Sequence, residues 1–207
     1  MNRSRLAVAI GAAVLLLAAV VLVPMLLGNA DDAATAGSEA GSATDSGGSL
    51  PAPSAADEST GLDRVETVDV GEVVHTADEV DYPQNPPVGG DHADQWLQCG
   101  SYDQPVREEN MVHALEHGTV WITYDDSVSD ADLDTLTAVL PAKGVLSPYA
   151  GQQAPVVVTV WGSQLALTGA DDPRLDEFVA RYGDGGTSPE PFASCEGGVE
   201  QFETQDS

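Results

Sequence analysis

The chain has 207 residues, with 34 Asp and Glu against 7 Lys and Arg and a formal charge of −27. That length holds one domain or at most two, and two cysteines are too few for a small disulfide scaffold. A chain this acidic, with no basic patch, argues against nucleic-acid binding, because the phosphate backbone would be repelled. Anionic membrane surfaces are disfavoured too, outside the first few residues.

The N-terminus carries the first strong signal. Leu6 to Leu27 is a run of 22 residues without a charge, rich in Leu, Val and Ala. Roughly 20 apolar residues in a helix span the hydrocarbon core. Arg3 and Arg5 precede the run, and Asp31 and Asp32 follow it. The positive-inside rule then leaves residues 1–5 in the cytoplasm and sends the C-terminal part outside, as a single-pass protein of the cell membrane. A cleaved signal peptide is the rival reading, with Gly28-Asn29-Ala30 as a small-residue cleavage site. Its apolar region is usually shorter, about 7–15 residues. Both readings export the rest of the chain, with a charge of about −29 once the two leading arginines are left behind.

Residues 28–61 are almost entirely Ala, Ser, Gly, Thr, Asp, Glu and Pro, with Leu50 the one large apolar side chain. Such a segment cannot bury enough surface to offset its chain entropy and is expected to be a disordered tether. Its r.m.s. span is about 30 Å. Residues 62–200 look globular, and residues 201–207 are expected to be a disordered tail.

Within 62–200, Val65, Val68, Val70 and Val73 give a loosely strand-like stretch. Asp81 to His92 holds three prolines and two glycines, which predicts a loop. Pro105 can open a helix, Glu108 and Glu109 suit its first turn, and Gly118 can close it. Thr119 to Tyr124 follows as a strand. Ser129 to Leu140 is a second helix, with Ser129 and Asp132 as a capping box, Leu133, Leu136 and Leu140 as its stripe, and Pro141 as its stop. Val156–Trp161 and Gln164–Thr168 flank Gly162-Ser163, a two-residue hairpin signal. Asp172-Pro173 starts a third helix with Leu175, Phe178, Val179 and Tyr182 on one face, ended by Gly183. The expected fold is a single small α+β domain with a partly antiparallel sheet and about three helices, behind the N-terminal transmembrane helix.

Cys99 and Cys195 lie on the exported side, where disulfides persist, and are expected to pair. The alternative, a nucleophilic or metal-binding Cys99, requires Cys195 to be free. His113-Ala-Leu-Glu-His117 holds two of the four histidines. On a helix these two sit about 40° apart, with Met111 and Leu115 roughly opposite. If that pair faces the core, the histidines face outward or toward a covering loop. The loop ending at His92 can supply a third imidazole, with Glu116 or Asp91 as a carboxylate. Such a set suits zinc, and imidazoles also suit copper or nickel. The same string satisfies H-x-x-E-H, the inverted zinc-peptidase motif, in which Glu116 would activate a metal-bound water; five residues with three fixed letters are weak grounds for catalysis. The structural reading stands beside these. His117 at a helix end is favoured by the dipole, His113 can brace the adjacent loop, and Glu116 can pair with Arg107 or be solvated. His75 is isolated in sequence and is left out. The acidic cluster Asp125 to Asp134 lacks the Gly and terminal Glu of an EF-hand. There is no phosphate loop, dinucleotide fingerprint or serine elbow.

Tyr82-Pro83, Pro86-Pro87, Gly90-x-His92, Cys99-Gly100, His113-x-Leu-Glu-His-Gly118, Ser147-Pro-Tyr149 and Ala170-Asp-Asp-Pro-Arg174 occur in this order. Together they resemble the uncharacterised bacterial family called domain of unknown function 3105, over roughly residues 65–200. The resemblance implies an exported or membrane-anchored domain and supplies no mechanism, because the family has no assigned activity. Its motif histidines fall on His92, His113 and His117. The chain departs from the usual Pro-Pro-x-Ser-Gly-Pro-His loop: Gly89 stands in place of Ser, and Asp91 in place of Pro.

The leading expectation is an extracytoplasmic module of the cell envelope that binds a transition metal, zinc or copper, or a small ligand through His92, His113 and His117. The alternatives are a structural or protein-interaction domain whose histidines brace a loop, and a metal-dependent hydrolase with Glu116 as base. The sequence names no substrate, protein partner or oligomeric state.

Overall fold

Val120 to Tyr124 shows how this sheet is covered. Successive side chains of a strand point to opposite faces. Val120 and Ile122 pack with Leu136, Leu175 and Phe178, whereas Trp121 packs with Leu97, Met111 and Leu115. Both faces of the strand are therefore dry, and helices cover both.

The computed structural model describes residues 61–200 and 202. The expected stub at 1–5, the anchor at 6–27, the tether up to residue 60 and the tail at 201–207, apart from Phe202, lie outside the described residues. Among the described residues, no helix is long and apolar enough to cross a membrane.

In chain order the elements are β1 (Glu66–Thr67), β2 (Gly100–Ser101), α1 (Glu108–Glu116), β3 (Val120–Tyr124), α2 (Asp130–Val139), β4 (Gly144–Pro148), β5 (Val156–Val160), β6 (Ser163–Leu167) and α3 (Arg174–Tyr182). The six strands form one mixed sheet in the order β1-β6-β5-β3-β4-β2. β3, β5, β6 and β1 pair antiparallel, while β4 runs parallel to both β3 and β2. The α+β class, single domain, partly antiparallel sheet and three helices match the expectation. The parallel half arises because β3, α2 and β4 form a crossover unit, which needs a helix to bring the chain back in the same direction.

Several boundaries differ from the sequence reading. α1 begins after Arg107 rather than at Pro105. Val106 is taken up by a bridge to Phe202, and Arg107 keeps an extended backbone at φ −67°, ψ 122°. The hairpin turn is Trp161-Gly162, with Val160 opposite Ser163, one residue earlier than expected. Gly162 sits at φ +68°, the left-handed conformation the turn requires. The strand-like stretch before residue 75 condenses to β1 alone. α2 matches its signals: Ser129 and Asp132 make both bonds of a capping box, and Leu136 is buried against the sheet.

The loop from Asp81 to His92 has no strand or helix, yet it is firmly tied. Gln164 Nε2 donates to the Pro86 carbonyl at 2.9 Å, and the Gly162 amide donates to the Val88 carbonyl at 2.8 Å. The Tyr82 hydroxyl donates to the Asp91 carbonyl at 2.7 Å. Cys99 and Cys195 are joined as a disulfide across 96 residues of sequence, as expected. Closing a loop of that size removes about 4–5 kcal/mol of chain entropy from the unfolded state.

Candidate functional site

Helix α1 is buried nearly all round, from Glu109 to Leu115. Met111 and Leu115 face the sheet core, as the helical spacing predicts. His113, Glu116 and, one residue past the helix, His117 lie on the other side at i, i+3 and i+4. Gly118 then turns the chain at φ +85°. A side chain there would meet the Gly185 backbone and Ser188 Oγ at 3.0 Å, so the turn is closed by the C-terminal segment.

The histidines face a covering loop rather than solvent. The loop lays His92 over α1, with the Ala93 amide donating to the Glu109 carbonyl at 3.2 Å. His92, His113 and His117 are all buried. The chain before the loop adds a fourth imidazole. The His92 amide donates to the Val74 carbonyl at 3.2 Å, and the Thr76 amide donates to the His92 carbonyl at 2.7 Å. This short bridge sets His75 beside His92, with ring centroids 4.9 Å apart. The His75 side chain is 49% exposed and is the outermost of the four.

His75, His92, His113 and Glu116 each present one donor atom, and all four atoms lie within 4.8 Å of one another. A His/Glu cluster of this kind can hold a metal ion. Of the residues singled out in sequence, His92, His113 and Glu116 come together here. His117 stands beside them, its Nε2 3.1 Å from His113 Nε2 and 3.8 Å from Glu190 Oε2. Asp91 lies outside the group, and its Oδ1 accepts the Val74 amide at 2.9 Å. His75 was missed because no periodicity places it; the signal available was that the chain has only four histidines.

Hydrogen bonds determine which ring nitrogens face inward. His92 Nδ1 lies 2.8 Å from the Gly90 carbonyl, His113 Nδ1 2.6 Å from the Ala93 carbonyl, and His117 Nδ1 2.9 Å from the Ser194 carbonyl. A carbonyl oxygen only accepts, so each Nδ1 carries the proton. In the neutral rings each Nε2 is then left with a lone pair. His92 Nε2 faces Glu116 Oε2 at 3.1 Å, and His113 Nε2 faces His117 Nε2 at the same distance. Acceptors thus face acceptors, an arrangement relieved by a cation or a proton between them. For metal–nitrogen bonds of 2.0–2.1 Å, the edge of a tetrahedral site is about 3.3 Å. Burial pushes the His113 imidazole below its ordinary value, against the pull of the Ala93 carbonyl; the neighbouring imidazoles of His117, His92 and His75 push the same way.

Glu109, one turn before His113 on the same helix face, is occupied otherwise. It pairs with Arg107 at 2.9 Å and accepts the Val80 amide at 3.0 Å. Trp96 packs on the rings of His117 and His113, with centroids 4.9 and 5.8 Å away.

No curated protein and no solved structure matches the chain. One family model matches, over residues 74–197, a span that includes all four histidines, Glu116 and both cysteines. On that match the chain belongs to the family described as protein of unknown function DUF3105.

Proposed function

We propose that the domain is a binding module for one divalent transition-metal ion, zinc or copper, held by His75, His92, His113 and Glu116. The observation that carries this reading is the turning of the Nε2 lone pairs toward one another and toward the Glu116 carboxylate, with backbone carbonyls holding the protons on the far side of the rings. Histidine ligands of metals are commonly oriented by just such outer hydrogen bonds. Imidazole and carboxylate donors without sulfur favour divalent zinc or copper over monovalent copper. Coordination supplied by protein donors rather than water is the kind that binds rather than hydrolyses. In this reading Glu116 is a ligand and not a base. The module is presented outside the cell membrane on its tether, a placement that rests on the uncharged run Leu6 to Leu27 and the arginines before it.

The test is metal content of the full chain after loading with Zn²⁺ or Cu²⁺ and exhaustive buffer exchange, beside His92→Ala/His113→Ala. About one ion per chain, lost in the variant, is expected. No retained ion, or equal amounts in both proteins, overturns the reading.

A further inference from the structure

His117 is held by a different part of the chain from the other histidines. After α3 the chain runs without strand or helix back across the end of α1. The Glu190 amide donates to the Glu116 carbonyl at 3.1 Å, and Lys143 Nζ donates to the Pro191 carbonyl at 3.0 Å. The Ser194 carbonyl then accepts the His117 Nδ1 proton, and the next residue is Cys195, bonded to Cys99. The Cys99 amide also donates to the Cys195 carbonyl at 3.2 Å. Ser194 is thus one residue from a covalent anchor, and its carbonyl decides which nitrogen His117 turns toward His113. Trp96 closes the other side of the ring.

We infer that His117 is a further ligand of the same metal ion, aimed by the Ser194 carbonyl, and that the Cys99–Cys195 disulfide makes this ligand dependent on the redox state of the strap. The inference rests on the metal-binding reading above. The 3.1 Å contact between His113 Nε2 and His117 Nε2 supports it, because both nitrogens carry lone pairs when Nδ1 is protonated and a shared cation satisfies both. A dithiol reductant supplies two electrons and two protons: the S–S bond breaks, Cys99 and Cys195 become thiols, and the dithiol closes to its own disulfide. The strap then loses its covalent anchor, Ser194 is freed to move, and His117 is no longer held to one tautomer and orientation. Outer-shell groups that orient a metal-bound histidine typically contribute 10–100-fold in affinity.

The test uses the full chain and Zn²⁺ alone, with affinity read by competition against a chromogenic chelator. Cys99→Ser/Cys195→Ser mimics the opened strap without adding thiols that would bind zinc. The expected result is 10–100-fold weaker binding in this variant. The same pair of substitutions in a His117→Ala background is expected to change affinity less than about 3-fold, because the ligand that the strap aims is already gone. Equal loss in both backgrounds, or no loss in either, overturns the inference. His117→Ala with the disulfide intact gives a second reading should the cysteine variant fail to fold. It must weaken zinc binding at least 10-fold, and affinity equal to that of the unsubstituted chain overturns the inference. A chain that binds zinc normally and fails these tests refutes only the roles of His117 and the strap; a chain that binds no zinc refutes the metal site itself.

Discussion

Replacing His113 with Leu separates the structural from the metal-binding role of the cluster. Leu is similar in bulk and fills the buried site, so the main loss without metal is the partner of the Ala93 carbonyl, bonded to Nδ1 at 2.6 Å. A buried acceptor left without its donor costs about 1–3 kcal/mol. Removal of the crowded His113–His117 contact offsets part of that cost. At about 3 °C per kcal/mol for a domain of this size, the metal-free variant should melt about 3–9 °C below the unsubstituted chain. Saturating zinc adds a second effect of opposite sign. Free Zn²⁺ at 100 times Kd stabilises the folded state by about 2.7 kcal/mol, or about 8 °C. The variant loses a donor from the middle of the group and should show almost none of that rise. The assay is differential scanning calorimetry of both proteins with chelator and with buffered zinc. An equal zinc-dependent rise in both proteins would refute the assignment of His113. A variant that melts like the unsubstituted chain without metal would refute the bracing role given to the Ala93 bond.

Two further outcomes test the scaffold around the site. Burial pushes the Asp172 carboxyl up, but hydrogen bonds from Arg174 and Thr168 overrule it and hold it well below the usual carboxylate range. Its contribution is therefore present above about pH 4, the unfolded carboxylate value, and is lost as pH falls toward the folded one. Asp172→Asn, which removes the buried negative charge that Arg174 bonds, should cost about 3–5 kcal/mol at pH 7, and the gap should narrow steadily below pH 4 in urea titrations. A gap of the same size at pH 3 and pH 7 would contradict this. Ser129→Ala removes the capping box of α2 and should lower stability by about 1 kcal/mol, read as a midpoint shift in urea without a change in m-value.

Local chemistry made much of this fold legible. The α2 capping box, the β5–β6 hairpin and the apolar face of α3 each follow from residues within a few positions of one another. Contacts from distant chain segments account for the misses. Pro105 does not start α1 because Val106 is occupied by Phe202, almost 100 residues away. β4 was not foreseen, since Gly144–Pro148 lacks the alternation of a half-buried strand: its first four residues are buried, because it lies between β3 and β2. At the site, His113, Glu116 and His117 were visible as a helical face, and His92 as the end of a loop. His75 was not, because a bridge of two backbone hydrogen bonds brings it in, and periodicity carries no trace of such a bridge.

The same bridge makes the donors unequal in time as well as in position. His113 and Glu116 are carried by a helix whose apolar face, with Met111 and Leu115, is packed into the sheet core. His75 is half exposed on a stretch held to its neighbour by the Val74 and His92 carbonyls and by Asp91. Opening that stretch breaks three hydrogen bonds and leaves the sheet core packed. An ion in this cluster would therefore enter and leave past His75, through a local fluctuation rather than through unfolding. Its residence time would depend on how often Val74–Thr76 peels away from His92. Affinity would reside in the core-anchored donors, and the rate of exchange in this one short edge.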